Sequence, residues 1–500
     1  MPLHTTFRTG ADFKESRDDG RRVWMAGERI ANVSTHPATR AVVDALAVWY
    51  DAHRDPAWAD KLLAPDGNDS AGLVIPTSSD DLWRLEETIR EWAVRNAGQI
   101  THTPVEAHCI LLAVRDAIHA GGPKERTGAI DAYRERVQRE GRLVTAPFAP
   151  AQTDRFRPPP ERVTPKVVKD TDGGITVSGS LGLGTSMCYV DDILVTPTTP
   201  PITTPERAVW FACPAGADGV KILARKPSVT SDDRFAYPIS SRFDELDCAV
   251  VFDNTFIPWE NVFAYRDMDF CNVYMFQLFD WATFHHLTRK LAHAEFLIGL
   301  ALAVTHMQGL QNVPGVQDDL ANIIIQAETM RTALRAACAD GRAKATEALH
   351  PDLMHIITGT VYGMQARARI AETVRNLAGY GSMLSPTLQD LEDPELGPAV
   401  APNYEGGGYT ARQRAGLLHL LNDATASAID GREAAFTAMA TGGMPLWKIR
   451  VNLEWHKHNE LAQIALSLLD DWKDKHIEYT PPNPLKSSPL PRHGVPPSSG

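Results

Sequence analysis

Cysteine is scarce in the 500-residue chain, and none of its six cysteines has a partner at a short spacing. They are Cys109, Cys188, Cys213, Cys248, Cys271 and Cys338. This scatter argues against a Cys-x-x-Cys zinc or cluster site and against a framework of disulfide bonds. We therefore expect no metal site, and we expect most of these thiols to be small buried apolar groups.

Long apolar runs and an excess of positive charge are also missing. No segment approaches the ~20 consecutive apolar residues of a membrane span, and the start of the chain has no apolar signal core. The formal net charge of -12 gives no reason to expect a nucleic-acid or anionic-membrane partner. We expect a cytoplasmic globular protein with two or three domains.

The hydrophobic period of the chain changes at residues 240–263, SSRFDELDCAVVFDNTFIPWENVF. Before this stretch, short β-type runs recur between turn residues; after it, almost all apolar residues have helical spacing. Within it, residues 248–252 and 255–257 are predicted to be two strands joined by a turn at 253–254. The stretch is thus predicted to separate a β domain from a helical domain.

The predicted architecture is mainly α with a central β domain. The predicted units are an N-terminal helical domain (1–150), a small antiparallel barrel or sandwich (151–278), a four-helix bundle (279–475) and a disordered Pro/Ser-rich tail (476–500). The earlier predicted helices span about 38–55, 80–96, 104–120 and 129–142. The predicted long helices of the bundle span about 287–301, 320–337, 353–377 and 411–439.

Three long stretches, in the same order along the chain, resemble the 4-hydroxyphenylacetate 3-monooxygenase family of oxygenase components. They are residues 8–40, 239–263 and 284–301, the last reading FHHLTRKLAHAEFLIGLA. The resemblance implies an acyl-CoA dehydrogenase-like fold, a homotetramer, and reduced FAD supplied by a separate NAD(P)H-dependent flavin reductase. It also implies that O2 is the co-substrate, and that a flavin hydroperoxide transfers one oxygen atom to a small molecule.

The same resemblance implies a set of flavin-contacting positions. These are the run Ala146, Pro147 and Phe148, the loop Gln152, Thr153, Asp154 and Arg155, the hydroxyl of Thr185, and the group Ile429, Asp430, Gly431 and Arg432. Read without the resemblance, the loop is an ordinary polar loop and Thr185 is a turn residue of the β domain. Gly431 either allows a cofactor to approach the backbone or packs one helix against another.

The chain departs from this family at the positions that handle a phenol. Phenol-hydroxylating members have an Arg and a Tyr four residues apart, where this chain has His102 and Glu106, and a His in a run where this chain has Ala146. Oxygen transfer to an arene benefits from the electron density of a phenolate, which a cation or a base stabilises. Simple 4-hydroxyphenylacetate is therefore not the expected substrate.

Two interpretations of His102 and Glu106 stay open. If both face one side of a helix start, Glu106 would bind a cationic or hydrogen-bond-donating substrate such as an amine, an amino acid or an N-heterocycle, with His102 as a proton shuttle. Alternatively, they form an exposed pair worth a few tenths of a kcal/mol.

A second candidate is the pair His285 and His286. A histidine near this place binds an iron–sulfur cluster in the related 4-hydroxybutyryl-CoA dehydratase, but the cysteines such a cluster needs are missing here. His286 is either a catalytic residue in the flavin or substrate pocket or a structural histidine at a helix start. Arg289 and Lys290 either hold the phosphates of FAD or pair with acidic residues across a subunit interface.

An aromatic group precedes the bundle and consists of Tyr274, Phe276, Phe279, Trp281 and Phe284. It lines a substrate pocket or, more commonly for such a stretch, belongs to the core. The predicted function is a monooxygenase that hydroxylates or N-oxygenates a small molecule, in a specialised pathway such as antibiotic biosynthesis. The alternatives are a flavin-dependent dehydratase or dehydrogenase, and a non-catalytic scaffold with the same fold.

Overall fold

The computed structural model describes residues 7–147, 164–196, 202–274, 277–472 and 475–481. Within these ranges the elements follow the predicted order of helices, then strands, then long helices. No helix there is both long and apolar enough to cross a lipid bilayer.

The first part of the chain is mainly helical, as predicted. Local signals set the starts of its helices: the Ser78 hydroxyl accepts a hydrogen bond from the backbone N–H of Asp81, and Pro104 occupies the first turn of its helix. The helices are α1 (Gly10–Glu15), α2 (Arg40–Ala52), α3 (Ala59–Leu62), α4 (Ser79–Arg95), α5 (Pro104–Gly121) and α6 (Lys124–Glu140).

The strands form two main sheets. They are β1 (Val23–Met25), β2 (Glu28–Ile30), β3 (Val144–Thr145), β4 (Lys166–Thr171), β5 (Gly174–Thr185), β6 (Asp192–Val195), β7 (Val209–Pro214), β8 (Val220–Ala224), β9 (Asp247–Pro258) and β10 (Val262–Tyr265). The larger sheet has the order β2-β1-β8-β9-β5-β4, and the smaller has the order β10-β7-β6-β3. The strands β4 to β10 of the central β domain pair antiparallel with one another, as predicted. The prediction did not include β1 and β3, which come from the helical part of the chain and extend the two sheets by pairing in parallel with β8 and β6.

The predicted strand–turn–strand at residues 248–257 is also wrong. β9 is one continuous strand that pairs with β5 along its length and with β8 over its first half. Asn254 adopts a left-handed backbone with φ +52°, and the pairing register with β5 shifts there. The Asp-Asn turn signal therefore produces a bulge, because neighbouring strands on both sides keep the chain extended.

The long helices of the second half pack around a central helix. They and the shorter elements are α7 (Ser240–Phe243), α8 (Met268–Tyr274), α9 (Leu278–Met307), α10 (Pro314–Ala339), β11 (Arg342–Ala343), β12 (Leu349–His350), α11 (Leu353–Ala378), α12 (Leu388–Glu392), α13 (Gly397–Val400), α14 (Ala411–Thr425), α15 (Ala428–Met439), α16 (Met444–Glu454) and α17 (His458–Leu466). Helix α9 contacts α10 and α11 of the second half and also α4 and α5 of the first part of the chain. It therefore joins the N-terminal helices to the bundle.

The helix predicted over residues 411–439 is divided in two. Ala426 leaves the helical conformation with φ -144°, and the Ser427 hydroxyl donates to the carbonyl of Asp423 at 2.7 Å. The buried Asp423 carboxylate accepts the backbone N–H groups of Ile239 and Ser240 at 2.8 Å each. The break follows this anchor, and it gives α15 a direction of its own.

The aromatic group before the bundle belongs mostly to the core. Trp281 and Phe284 are fully buried, and the Trp281 indole donates to Nδ1 of His350 at 3.0 Å. Phe279 packs in a small cluster around the buried Trp447. Phe276 lies outside the described residues.

Candidate active site

Glu106 lies in the first turn of α5, whereas His102 precedes that helix. Both side chains are buried, with 2% and 7% of their surface exposed. The interpretation as an exposed surface pair is therefore wrong. The premise that both lie on one helical face fails as well, because α5 begins at Pro104 and His102 turns towards another element.

The partner of His102 is Glu245, in the segment between α7 and β9. One oxygen of the Glu245 carboxylate accepts the backbone N–H of His102 at 2.9 Å and lies 3.2 Å from its Nδ1. Burial disfavours the charged imidazolium, but the carboxylates of Glu245 and Glu106 outweigh burial and raise the pKa of His102. His102 is thus a buried histidine that favours its protonated form.

Glu106 has no comparable partner in the part of the chain that the structure describes. Its Oε2 is buried and accepts no hydrogen bond from any described residue. Burial raises the pKa of Glu106 to about 7, although the nearby His102 acts in the opposite direction. Near neutral pH this group is present as both acid and carboxylate, so it can donate a proton or accept one.

His285 and His286 lie in the third turn of α9, because that helix begins at Leu278. The interpretation of His286 as a helix-start residue is therefore wrong. Both imidazoles are buried, their ring centroids are 5.9 Å apart, and neither Nδ1 has a partner among the described residues. Burial lowers the pKa of both rings, that of His285 to about 3, so both are neutral.

One turn further along α9, Arg289 and Lys290 have different environments. Arg289 is fully buried and pairs with Glu433 of α15 at 2.9 Å, so its acidic partner belongs to the same chain. Lys290 is buried, and no described residue accepts a hydrogen bond from its Nζ. Burial lowers its pKa to about 7. With His293, Lys290 lines a cavity of about 10 Å³, which has room for about one water molecule.

The ring of Phe436 is the point at which these groups meet. Its centroid lies 4.3 Å from Cζ of Arg432 and 4.9 Å from Cζ of Arg289. The ring centroids of His286 and His102 are 5.5 and 6.5 Å from it. Phe436 was not among the predicted site residues, although it lies one helical turn after the predicted Arg432, and that spacing was a usable signal.

Arg432 and Thr185, both predicted cofactor contacts, are brought together by Asp247. The Arg432 guanidinium donates to both oxygens of Asp247, at 2.7 and 3.0 Å, and the Thr185 hydroxyl donates to the same carboxylate at 2.7 Å. Burial lowers the pKa of Arg432, but Asp247 outweighs it and the net shift is upward. A charged group is therefore fixed at the junction between β9 and α15.

The predicted positions at the end of β3 lie close to Thr185. The Thr145 hydroxyl donates to the backbone carbonyl of Thr185 at 2.9 Å. A Cβ added to Gly184 would lie 2.7 Å from the Cβ of Pro147. Ala146 and Pro147 are thus adjacent to the Thr185 end of β5, which is consistent with their predicted position.

The other predicted residues of α15 differ from one another. Ile429 is buried, and Asp430 forms an ion pair with Arg367 of α11. A Cβ added to Gly431 would meet no atom within 4 Å, so Gly431 does not pack one described helix against another. Phe148, Gln152, Thr153, Asp154 and Arg155 lie outside the described residues.

The chemistry of the unpartnered groups fits a flavin. The isoalloxazine ring presents carbonyl acceptors and an N–H donor, and the ribityl chain presents hydroxyls. Glu106, His286 and Lys290 each have a buried polar atom without a partner among the described residues, and these atoms include both donors and acceptors. Burial of such groups is costly unless a ligand or water satisfies them, so their clustering indicates a binding site.

The order of helices, sheets and bundle is that of acyl-CoA dehydrogenase-like proteins, which confirms the predicted fold class. Two family models, described as 4-hydroxyphenylacetate 3-hydroxylase N terminal and C terminal, match residues 9–264 and 272–464. The chain therefore belongs to the 4-hydroxyphenylacetate 3-hydroxylase family. The family resemblance seen in the sequence is confirmed.

Individual relatives agree with this assignment. The oxygenase component of 4-nitrophenol 4-monooxygenase/4-nitrocatechol 2-monooxygenase from Rhodococcus opacus is 30% identical over 482 residues, 92% of this chain and 91% of the relative. The FADH(2)-dependent monooxygenase TftD from Burkholderia cepacia is 28% identical, covering 88% of each chain. A crystal structure of the oxygenase component HpaB with FAD and 4-hydroxyphenylacetate has 26% identity and a TM-score of 0.86, and the match covers 93% of this chain and 99% of HpaB.

Proposed function

We propose that the chain is the oxygenase component of a two-component monooxygenase that oxygenates a small molecule other than simple 4-hydroxyphenylacetate. As a member of this family it is a flavin-dependent monooxygenase that uses reduced FAD, with O2 as co-substrate. The supporting observation is the cluster of buried titratable side chains around Phe436, where the larger sheet meets the bundle. A separate flavin reductase would deliver the reduced cofactor.

The residues of the cluster have distinct roles in this proposal. Reduced FAD, when bound, supplies the electrons that activate O2. The Arg432–Asp247 pair holds one side of the cofactor site in place, and His286, which is neutral, accepts or donates a hydrogen bond at the substrate. His102 and Glu106 bind the polar group of the substrate and exchange a proton with it. Their burial keeps bulk water from the reacting groups.

Glu106 supports an amine, an amino acid or an N-heterocycle as the substrate. A buried carboxylate without a hydrogen-bond donor is unfavourable, and a cationic or N–H-bearing substrate would supply that donor. On this proposal the bound substrate lowers the pKa of Glu106, and His102 acts as the proton shuttle. Either hydroxylation or N-oxygenation of such a substrate is compatible with the site.

His102 supports a second substrate class, small molecules with an acidic aromatic hydroxyl. A protonated imidazole can stabilise a phenolate oxygen. The phenolate in turn supplies the electron density that oxygen transfer to the aromatic ring requires. The names of the Rhodococcus opacus relative and of the HpaB complex refer to phenolic compounds. The chain lacks the Arg and Tyr of phenol-hydroxylating members, so the phenol would be bound by a different set of groups.

Binding of reduced FAD tests the cofactor half of the proposal. The purified chain would be titrated with reduced FAD without oxygen, then mixed rapidly with oxygenated buffer while the absorbance spectrum is recorded. Saturable binding and a reoxidation time course that differs from that of free flavin are expected. Absence of binding would instead favour the non-catalytic scaffold, and binding without any reaction with O2 would favour a dehydratase or dehydrogenase.

The substitution Glu106→Gln separates the two substrate classes. We expect it to abolish turnover of an amine or N-heterocycle while leaving reduced-FAD binding intact, because the amide cannot carry the negative charge that pairs with a cation. The matched control is Glu86→Gln in α4, since Glu86 is also fully buried with a pKa raised by burial to about 7. Unchanged amine turnover in Glu106→Gln would exclude Glu106 as the substrate-binding carboxylate.

We also propose that the chain works as a homotetramer. Tyr380, Met383 and Leu384, just after α11, are large apolar residues with 89, 80 and 73% of their surface exposed. An apolar patch of this kind is typical of a surface covered by another protein. Light scattering of the purified chain would measure the mass directly, and replacing Met383 and Leu384 with serine should lower it if the patch is the contact.

A further inference from the structure

Glu245 is bound on several sides at once. It is 1% exposed, and its carboxylate accepts the backbone N–H groups of Thr101 at 3.1 Å and His102 at 2.9 Å. The Ser186 hydroxyl donates to it at 2.8 Å. Burial acts to raise its pKa, but the neighbouring His102 ring, the Arg432 guanidinium and the backbone N–H of His102 outweigh burial and lower the pKa to about 2. Glu245 is therefore a fixed carboxylate at neutral pH.

A fixed carboxylate beside one ring nitrogen determines the state of the other. With Nδ1 of His102 donating its hydrogen to Glu245, the proton that completes the imidazolium resides on Nε2. No described residue forms a hydrogen bond with that Nε2. The Nε2–H is therefore available to a ligand in the cluster around Phe436.

Other charged and titratable groups also act on His102. Glu106 in α5 favours the protonated ring, whereas Arg432 in α15 disfavours it. Asp247 neutralises Arg432 through two hydrogen bonds, which reduces that effect. His285 and His286 in α9 face the ring but are neutral. Glu245 is the group in direct contact, so its removal should change the state of His102 more than any other single change.

We propose that Glu245 is a positioning residue that holds His102 as an imidazolium, so that its free Nε2–H binds the ionised hydroxyl of an aromatic substrate. This inference rests on the proposed function and selects the second substrate class. Phenol-hydroxylating members of the family have an Arg at this position, and a guanidinium is charged at any physiological pH. A histidine needs a nearby carboxylate to stay charged, and here that carboxylate is Glu245.

The test uses 4-nitrophenol as a probe, without flavin and without turnover. Its phenolate absorbs visible light and its neutral form does not, so a pH titration of the bound probe measures the pKa of its hydroxyl directly. A cation at the hydroxyl lowers that pKa. We expect the bound probe to ionise at lower pH in the wild type than in Glu245→Gln, by about one pH unit, which is about a tenfold change in the ionised fraction.

Three further variants distinguish the proposed role of Glu245 from a general effect of the substitution. His102→Gln leaves Glu245 and its backbone hydrogen bonds in place, and it should raise the pKa of the bound probe as Glu245→Gln does. His102→Arg combined with Glu245→Gln should restore the low pKa, because a guanidinium needs no carboxylate to remain charged. The matched control Glu86→Gln changes a buried glutamate elsewhere and should leave the probe unchanged.

Each outcome has a defined meaning. Equal probe pKa values in wild type, Glu245→Gln and His102→Gln would overturn the proposal, and so would a wild type that does not bind the probe. If Glu245→Gln fails to fold, Glu245→Asp takes its place, because the shorter side chain withdraws the carboxylate from Nδ1 of His102; an unchanged probe pKa in Glu245→Asp would then overturn the proposal. Reduced-FAD binding, measured separately, tells whether the proposed function fails as well.

Discussion

Asp247 at the start of β9 and Arg432 in α15 are joined by two hydrogen bonds, of 2.7 and 3.0 Å, across the junction of sheet and bundle. Asp247 also accepts the hydroxyl of Thr185, and Arg225 lies 3.0 Å away. The ion pair fixes α15 against β9, and α15 carries Phe436. The orientation of the cluster around that ring therefore depends on a salt bridge that is mostly buried.

Replacing Asp247 with Asn should destabilise the chain by about 3 kcal/mol, because a buried guanidinium loses its counter-charge. The pKa of Asp247 is lowered: burial acts to raise it, but Arg432 and the other donors outweigh burial. The stabilisation is present above the ordinary carboxyl pKa of 3.8 and is lost as pH falls below it. Urea unfolding at pH 7 and pH 3 measures both effects.

The matched control is Asp253→Asn. Asp253 pairs with Lys221 at 2.8 Å, but its side chain is 52% exposed, so water screens the pair and its loss should destabilise the chain far less than the loss of Asp247. Equal destabilisation by the two substitutions would show that the buried pair does not fix the junction.

Glu106 should leave a signature in the pH dependence of stability. Its pKa is raised from 4.5 to about 7, so between these values the folded chain binds more protons than the unfolded chain. The contribution of Glu106 to stability therefore falls as pH rises through this window, by an amount on the order of 3 kcal/mol. Glu106→Gln should lack this contribution, so the difference in unfolding free energy between the two proteins should change by that amount across the window. If the unfolding free energies of the two proteins depend on pH in the same way, then Glu106 has a hydrogen-bond partner in solution.

Lys290 should affect the pH dependence of stability with the opposite sign, at higher pH. Its pKa is lowered from 10.5 to about 7, so between these values the unfolded chain binds more protons and wild-type stability rises with pH. Lys290→Met should be more stable than the wild type at pH 6 to 7, and its advantage should disappear towards pH 10.5. Lys221→Met, at a half-exposed lysine, is the matched control for the change of side chain.

Gly98 is expected to tolerate no side chain. Its backbone has φ +71°, and an added Cβ would lie 2.8 Å from the Cβ of His293. Gly20 has a similar φ of +77° but nothing within 4 Å of an added Cβ. Gly20→Ala should therefore cost only the backbone strain, about 1 kcal/mol. Gly98→Ala should cost at least twice as much in thermal unfolding, and equal costs would show that the contact relaxes freely.

Much of the fold was predictable because its signals are local. The period of apolar residues predicted α4, α5 and α11 to within one residue at each end and missed only the first six and last two residues of α10, and proline or capping residues set several helix ends. The predictions failed where distant partners decide the outcome. Residues 253–254 read as a turn, yet strands on both sides keep β9 continuous, and the break after α14 depends on Asp423 binding the backbone near α7.

The candidate site was likewise predictable only in part. The sequence by itself determined which chemical groups are present: His102 and Glu106, where the family resemblance implies an Arg and a Tyr, and Arg432. Only the tertiary structure decided their charge states. Glu245 is 143 residues from His102 in the sequence, and no local pattern joins them. Burial and that distant carboxylate set the proton affinity of the ring, because both depend on which elements pack together rather than on the spacing of residues along the chain.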